Sequence, residues 1–108
     1  MIGGVVYTDS NVLVKVGRIM SPNELAAMRE TGLLQESWNA GVTSVSLPPN
    51  PETYRAAPTG DVYVEFYLPE SAIGAADGSI AKIYGPSSLH GKFFGVTRMP
   101  PITEIIVA

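Results

Sequence analysis

The residues of this chain that could do chemistry are polar groups set on otherwise apolar strands, and they fall in three places. Arg18 ends the segment Val12-Leu-Val-Lys-Val-Gly-Arg18, Ser44 and Ser46 alternate in Val42-Thr-Ser-Val-Ser-Leu47, and Glu104 opens Thr103-Glu-Ile-Ile-Val107. By the period of two, Arg18 falls on the side of Val12, Val14 and Val16. A charge at the end of an apolar face marks a strand end reaching solvent or lines a cleft, because burying it unpaired is costly. Each residue alone has an ordinary reading: a paired surface arginine, the wet face of a strand, an exposed glutamate. None of the three is specific alone, and together they could line a cleft offering a cation, a hydroxyl and a carboxylate.

The remaining polar residues narrow the chemistry further. Glu65 shares a polar strand face with Asp61 and is the second candidate for a working carboxylate. His90, between Leu89 and Gly91, could donate to a phosphate, although a lone histidine in a Gly/Ser loop is ordinarily structural. Gly85-Pro-Ser-Ser lacks the glycine spacing and the lysine of a phosphate loop. With one histidine and no cysteine, thiolate sites, cysteine nucleophiles and multi-histidine metal sites are excluded, so no metal is expected. Seven basic against ten acidic residues, a net charge of -3, argue against nucleic acid as a partner. No apolar run approaches the roughly 20 residues that cross a bilayer, and Met1-Ile-Gly-Gly lacks the regions of a signal peptide. A soluble protein is expected, carried out of its maker by something else if it leaves, such as a larger protein of which it forms part.

These residues need a scaffold, and 108 residues suffice for one domain with one core. Val5 to Tyr7 and Val12 to Arg18 read as extended segments. Met20-Ser-Pro-Asn-Glu-Leu25 starts a helix of about three turns, with Ser21 as N-cap, Pro22 at the first position, Glu24 completing a capping box and Met20 with Leu25 as a hydrophobic staple. Thr31-Gly32 stops it. Leu33 to Ala40, with Trp38, reads as a surface loop, Val42 to Leu47 as a strand, and Glu52 to Ala57 as a short second helix capped by Asn50 and Pro51. Asp61 to Leu68 is the clearest strand, with Val62, Val64, Phe66 and Leu68 on its apolar face. Ile80 to Tyr84 is a weaker strand, Gly85 to Gly91 an irregular segment, and Ile102 to Val107 a last strand after Pro100-Pro101. Together these predict an α+β domain with a bent β-sheet core and two short helices.

Order and context add to this. Gly17-Arg-Ile-Met-Ser-Pro-Asn-Glu-Leu25 resembles the first catalytic motif of bacterial ADP-ribosyltransferase toxins, with Arg18 at the arginine position. Gly41 to Pro48, with Pro51-Glu-Thr-Tyr-Arg-Ala56, resembles the second motif, a serine-bearing strand followed by a helix with an aromatic residue. Gly60 to Pro69, Ala81 to Gly91 and Met99-Pro-Pro-Ile-Thr-Glu-Ile105-Ile are similar to the C-terminal toxin domains of Rhs-type polymorphic toxins. The group most resembled is TreTu, whose members ADP-ribosylate elongation factor Tu, and the resemblance runs from about Val12 to Ile106. Val14-Lys15 stands where many relatives have an aromatic-arginine pair. Ile102 stands where many protein-modifying relatives have the Glu or Gln that engages the acceptor.

The resemblance implies a small ADP-ribosyltransferase-like fold and an active site of Arg18, Ser44 and Glu104 that uses NAD+ as substrate without a metal. Arg18 would hold the NAD+ phosphates and ribose, a task suited to a planar fork of donors. Ser44 or Ser46, with Ser44 preferred, would keep the nicotinamide half in place. Glu104 would accept a hydrogen bond from the ribose and stabilise the charge that grows as nicotinamide leaves. Tyr54 is the candidate ring for the cofactor, with Tyr63, Tyr84 and Phe93 as others, and Lys92 and Arg98 could meet the target. The implied protein is an effector acting in the cytoplasm of a target bacterium, with elongation factor Tu as target and a cognate immunity protein as second partner. The competing reading is a non-enzymatic binding module that docks through the Trp38 loop and the tyrosines of the 61–68 strand.

Overall fold

The computed structural model of the chain describes residues 12–37, 40–54 and 58–107. Six strands, β1 (Leu13–Met20), β2 (Val42–Ser46), β3 (Val62–Pro69), β4 (Ala76–Asp77), β5 (Ile80–Tyr84) and β6 (Thr103–Val107), form one sheet in the order β4-β5-β2-β1-β3-β6. Every pairing is antiparallel. With two α-helices, α1 (Pro22–Thr31) and α2 (Leu89–Phe94), the fold is α+β. The extended segment expected at Val5 to Tyr7, and Trp38 in its loop, lie outside the described residues.

The sheet has one apolar face because its strands alternate. β1 and β3 pair along their whole length, with Val16 opposite Phe66 and Val14 opposite Leu68. Opposite residues in an antiparallel ladder share a face, so Val14, Val16 and Met20 lie beside Val62, Val64, Phe66 and Leu68. On the other side of β1, Val45 and Thr43 sit opposite Ala81 and Ile83. Met28 from α1, Leu34 and Met99 close this core, and Val16, Met28, Leu34, Val64, Phe66 and Leu68 are fully buried.

Helix α1 forms where its sequence signals place it. Ser21 Oγ accepts from the Glu24 amide at 3.1 Å, Pro22 occupies the first turn, and Gly32 ends the helix with φ 71° and its amide on the Met28 carbonyl. A side chain at Gly32 would hold the left-handed backbone at a cost that glycine escapes. The capping box, however, is half made, because the Glu24 carboxylate turns to Arg18 instead of the Ser21 amide.

Two helical expectations are corrected. The helix foreseen from Glu52 to Ala57 is, over the described residues, a single 3-10 turn, Pro51–Tyr54, with Asn50 Oδ1 accepting from the Glu52 amide at 3.0 Å. Residues 55–57 lie outside the described part. The segment Gly85 to Gly91, read as irregular, runs into α2, whose N-cap Ser88 accepts from the Gly91 amide at 2.8 Å. The second α-helix therefore belongs to the C-terminal half.

Candidate functional site

Arg18 stands where the sheet opens. The ladder between β1 and β2 is a single pair, Gly17 opposite Ser46, while β1 continues along β3 to Met20. Past that pair β2 has backbone acceptors that β1 does not take, and Arg18 Nη1 donates to one of them, the Ser44 carbonyl, at 2.8 Å. The same guanidinium meets the Glu24 carboxylate from Nε at 2.7 Å and from Nη2 at 3.3 Å. The two side chains are 16% and 21% exposed, so the pair is partly screened from solvent. A half-buried charge on the apolar face is tolerated because it is paired and hydrogen-bonded.

The two serines have different roles. Ser46 is fully buried, donates to the Gly17 carbonyl at 3.2 Å and accepts from the Asn50 amide at 3.2 Å, so its hydroxyl is spent on the fold. A side chain at Gly17 would collide with the Tyr63 hydroxyl and approach Ser46 Oγ to 2.7 Å, which is why glycine precedes the arginine. Ser44 is half-buried, opposite Lys82 of β5. Its Oγ makes no hydrogen bond among the described residues. By the alternation of β2, Ser44 and Ser46 face away from Val45, so Ser44 meets Arg18 through its backbone carbonyl.

Glu104 lies across β3 from Arg18. The ladder pairs Tyr67 with Thr103 but Glu65 with Ile106, so β6 carries an extra residue at a bulge, and Glu104 has φ 53°. Its side chain is exposed and makes no hydrogen bond or ion pair among the described residues. It lines a cleft of about 420 Å³ with Met28, Arg29, Gly32, Ile102, Thr103 and Ile105, and a smaller one with Leu13 and Tyr67. Two strand spacings and a two-residue offset put the Arg18 and Glu104 backbones roughly 12 Å apart. The Ser44 backbone carbonyl is therefore brought to Arg18, while the Ser44 hydroxyl lies on the opposite face of the sheet and Glu104 faces a separate cleft.

The other candidates are placed as follows. Glu65 is engaged: it pairs with Lys15 at 3.2 Å and accepts from the Tyr63 hydroxyl at 2.9 Å. His90 stacks on Tyr84, with centroids 4.0 Å apart, and tilts against Phe94 at 4.6 Å. Phe93 is 82% exposed, and Lys92 and Arg98 are exposed. Tyr54 ends the 3-10 turn beside β1, and its side chain lies outside the described part. Glu24 was missed as a site residue. Its signal was ambiguous, because a glutamate three residues after a serine cap is also what a capping box requires.

Among the described residues no three His, Asp or Glu side chains cluster to hold a metal ion, and no helix is long and apolar enough to cross a membrane. No curated protein matches the chain significantly in sequence. The family model described as "TreTu toxin, C-terminal domain" matches residues 13–106, a span that contains Arg18, Glu24, both serines and Glu104. The chain belongs to the TreTu toxin C-terminal domain family.

Proposed function

We propose that this toxin domain transfers ADP-ribose from NAD+ to a protein of the target bacterium, with elongation factor Tu as the acceptor protein and arrest of translation as the result. The observation that carries the reading is the family match across the residues of the site. The ADP-ribosyltransferase-like character of the fold is part of this proposal. The side chains present suit the substrate: among the described residues, Arg18 keeps two of its five donors beyond those given to Glu24 and Ser44, the Ser44 hydroxyl makes no hydrogen bond, and the Glu104 carboxylate has no partner.

In this reading Arg18 holds the pyrophosphate through its remaining donors, Ser44 steadies the nicotinamide half, and the ring of Tyr54 serves the same end. Glu104 accepts from the nicotinamide-ribose hydroxyl and lies close to the sugar carbon that becomes positive as its bond to nicotinamide breaks. A fixed carboxylate there lowers the barrier because it favours the charged transition state more than the neutral-sugar ground state. Nicotinamide departs with the bonding electrons, and a nucleophile of the target forms the new bond and gives up its proton. The domain would be delivered as part of a larger secreted protein, act in the cytoplasm of the target cell, and be held in check in its maker by an immunity protein.

The test is transfer of label from NAD+ into bacterial lysate protein, comparing this chain with its Glu104→Gln form. One labelled band at the size of elongation factor Tu, absent with the variant, is expected. No label and no loss of NAD+ from a folded sample would overturn the transferase and leave the binding module in its place.

A further inference from the structure

We infer that Glu24 is the positioning residue for Arg18, holding its guanidinium over the gap between β1 and β2 so that two donors stay aimed at the substrate; this rests on the reading of Arg18 as the pyrophosphate-binding group. Glu24 is the third residue of α1, the position from which a glutamate ordinarily turns back to the N-cap amide. Ser21 does its half of that arrangement, accepting from the Glu24 amide at 3.1 Å, yet the carboxylate gives both oxygens to Arg18, at 2.7 and 3.3 Å. The helix forgoes one cap bond, and the arginine gains a two-point hold from a rigid element.

The hold fixes direction as well as place. An arginine side chain has four rotatable bonds, and a ligand that must order it loses affinity in doing so. With Nε and Nη2 on Glu24 and Nη1 on the Ser44 carbonyl, the guanidinium plane is defined from two sides before any ligand arrives. One donor remains on each terminal nitrogen, a pair that suits two oxygens of a phosphate. Glu24 also offsets the guanidinium charge, so recognition depends on directed hydrogen bonds more than on net charge.

The experiment measures kcat and KM for NAD+ in the unaltered chain, in Glu24→Gln and in Ser21→Ala, with thermal melting of all three. Glu24→Gln keeps the shape of the side chain but can accept at one atom only. It is expected to raise KM on the order of tenfold, the loss of about one charge-assisted hydrogen bond, with kcat within about twofold. Ser21→Ala weakens the same helix without touching Arg18, and is expected to lower the melting temperature while leaving KM unchanged. An active parent whose KM is unmoved by Glu24→Gln overturns the role of Glu24 alone. A KM raised as much by Ser21→Ala overturns it too, since helix stability would then explain both. A folded parent that neither binds nor consumes NAD+ overturns the transferase reading itself, and this inference with it.

Discussion

Replacing Glu104 by glycine should make the domain more stable and less active at once. Glu104 holds a left-handed backbone, φ 53°, at the bulge of β6, a conformation that costs a residue with a Cβ about 1–2 kcal/mol. Glycine removes that cost but loses about 0.5–1 kcal/mol more chain entropy on folding, so the net gain is about 0.5–1 kcal/mol. Nothing else is at stake for stability, because the side chain is exposed and unpaired among the described residues. For a domain of this size the gain corresponds to a rise in Tm of roughly 3–6 °C. Glu104→Ala is the control: it removes the carboxylate, keeps the Cβ, and should melt within about 1 °C of the parent. Both variants should lose NAD+ consumption. A glycine variant that melts at or below the alanine variant would refute the strained bulge. One that still consumes NAD+ would refute the role of the carboxylate. A left-handed backbone at a residue whose side chain makes no hydrogen bond or ion pair among the described residues is a strain that the fold does not need.

Three further outcomes follow from the strands around Arg18. Gly17→Ala should destabilise the domain by about 1–3 kcal/mol in denaturant unfolding, because its methyl group would press on the Tyr63 hydroxyl and Ser46 Oγ from a buried strand position; unchanged stability would refute the close approach. Ser46→Ala should cost about 1–3 kcal/mol, since it removes the buried hydroxyl that accepts from the Asn50 amide and donates to the Gly17 carbonyl. Ser44→Ala should melt like the parent but lose NAD+ consumption, and the reverse pattern between the two serines would exchange their roles.

What could be read in the sequence was local. Helix α1 is written in contiguous residues, with Ser21 and Pro22 at one end and Gly32 at the other, and β3 in an unbroken alternation that ends with Phe66 and Leu68 fully buried. Helix α2 escaped because its apolar residues do not face the core: Leu89 is 86% and Phe93 82% exposed, so no amphipathic period marks it. Asn50 and Pro51 gave a true helix-start signal, but the chain beyond them closes a 3-10 turn at Tyr54, and a cap fixes where a turn begins without fixing how far it runs. At the site, the residue types were legible and the partners were not. Arg18 could be placed on the apolar side of its strand, but its contacts with Glu24 and the Ser44 carbonyl depend on how α1 and β2 return to it.

That return explains how two separated parts of the candidate site are held in register. Helix α1 begins with Glu24 on Arg18 and buries Met28 in the core. It ends beside the cleft of Glu104, which Arg29 and Gly32 help to line. The Gly32 carbonyl accepts from the Ile102 amide at 3.0 Å, and the Leu34 amide donates to the Pro100 carbonyl at 3.0 Å. Leu33 bridges Pro101 between them. The chain leaving the helix is thus laced to the chain entering β6, two residues before Glu104. A ten-residue helix anchored at both ends sets the position of the arginine and of the glutamate together. An element this short has little helical stability of its own, so burial of Met28 and Leu34 holds the spacing of the site as well as the core.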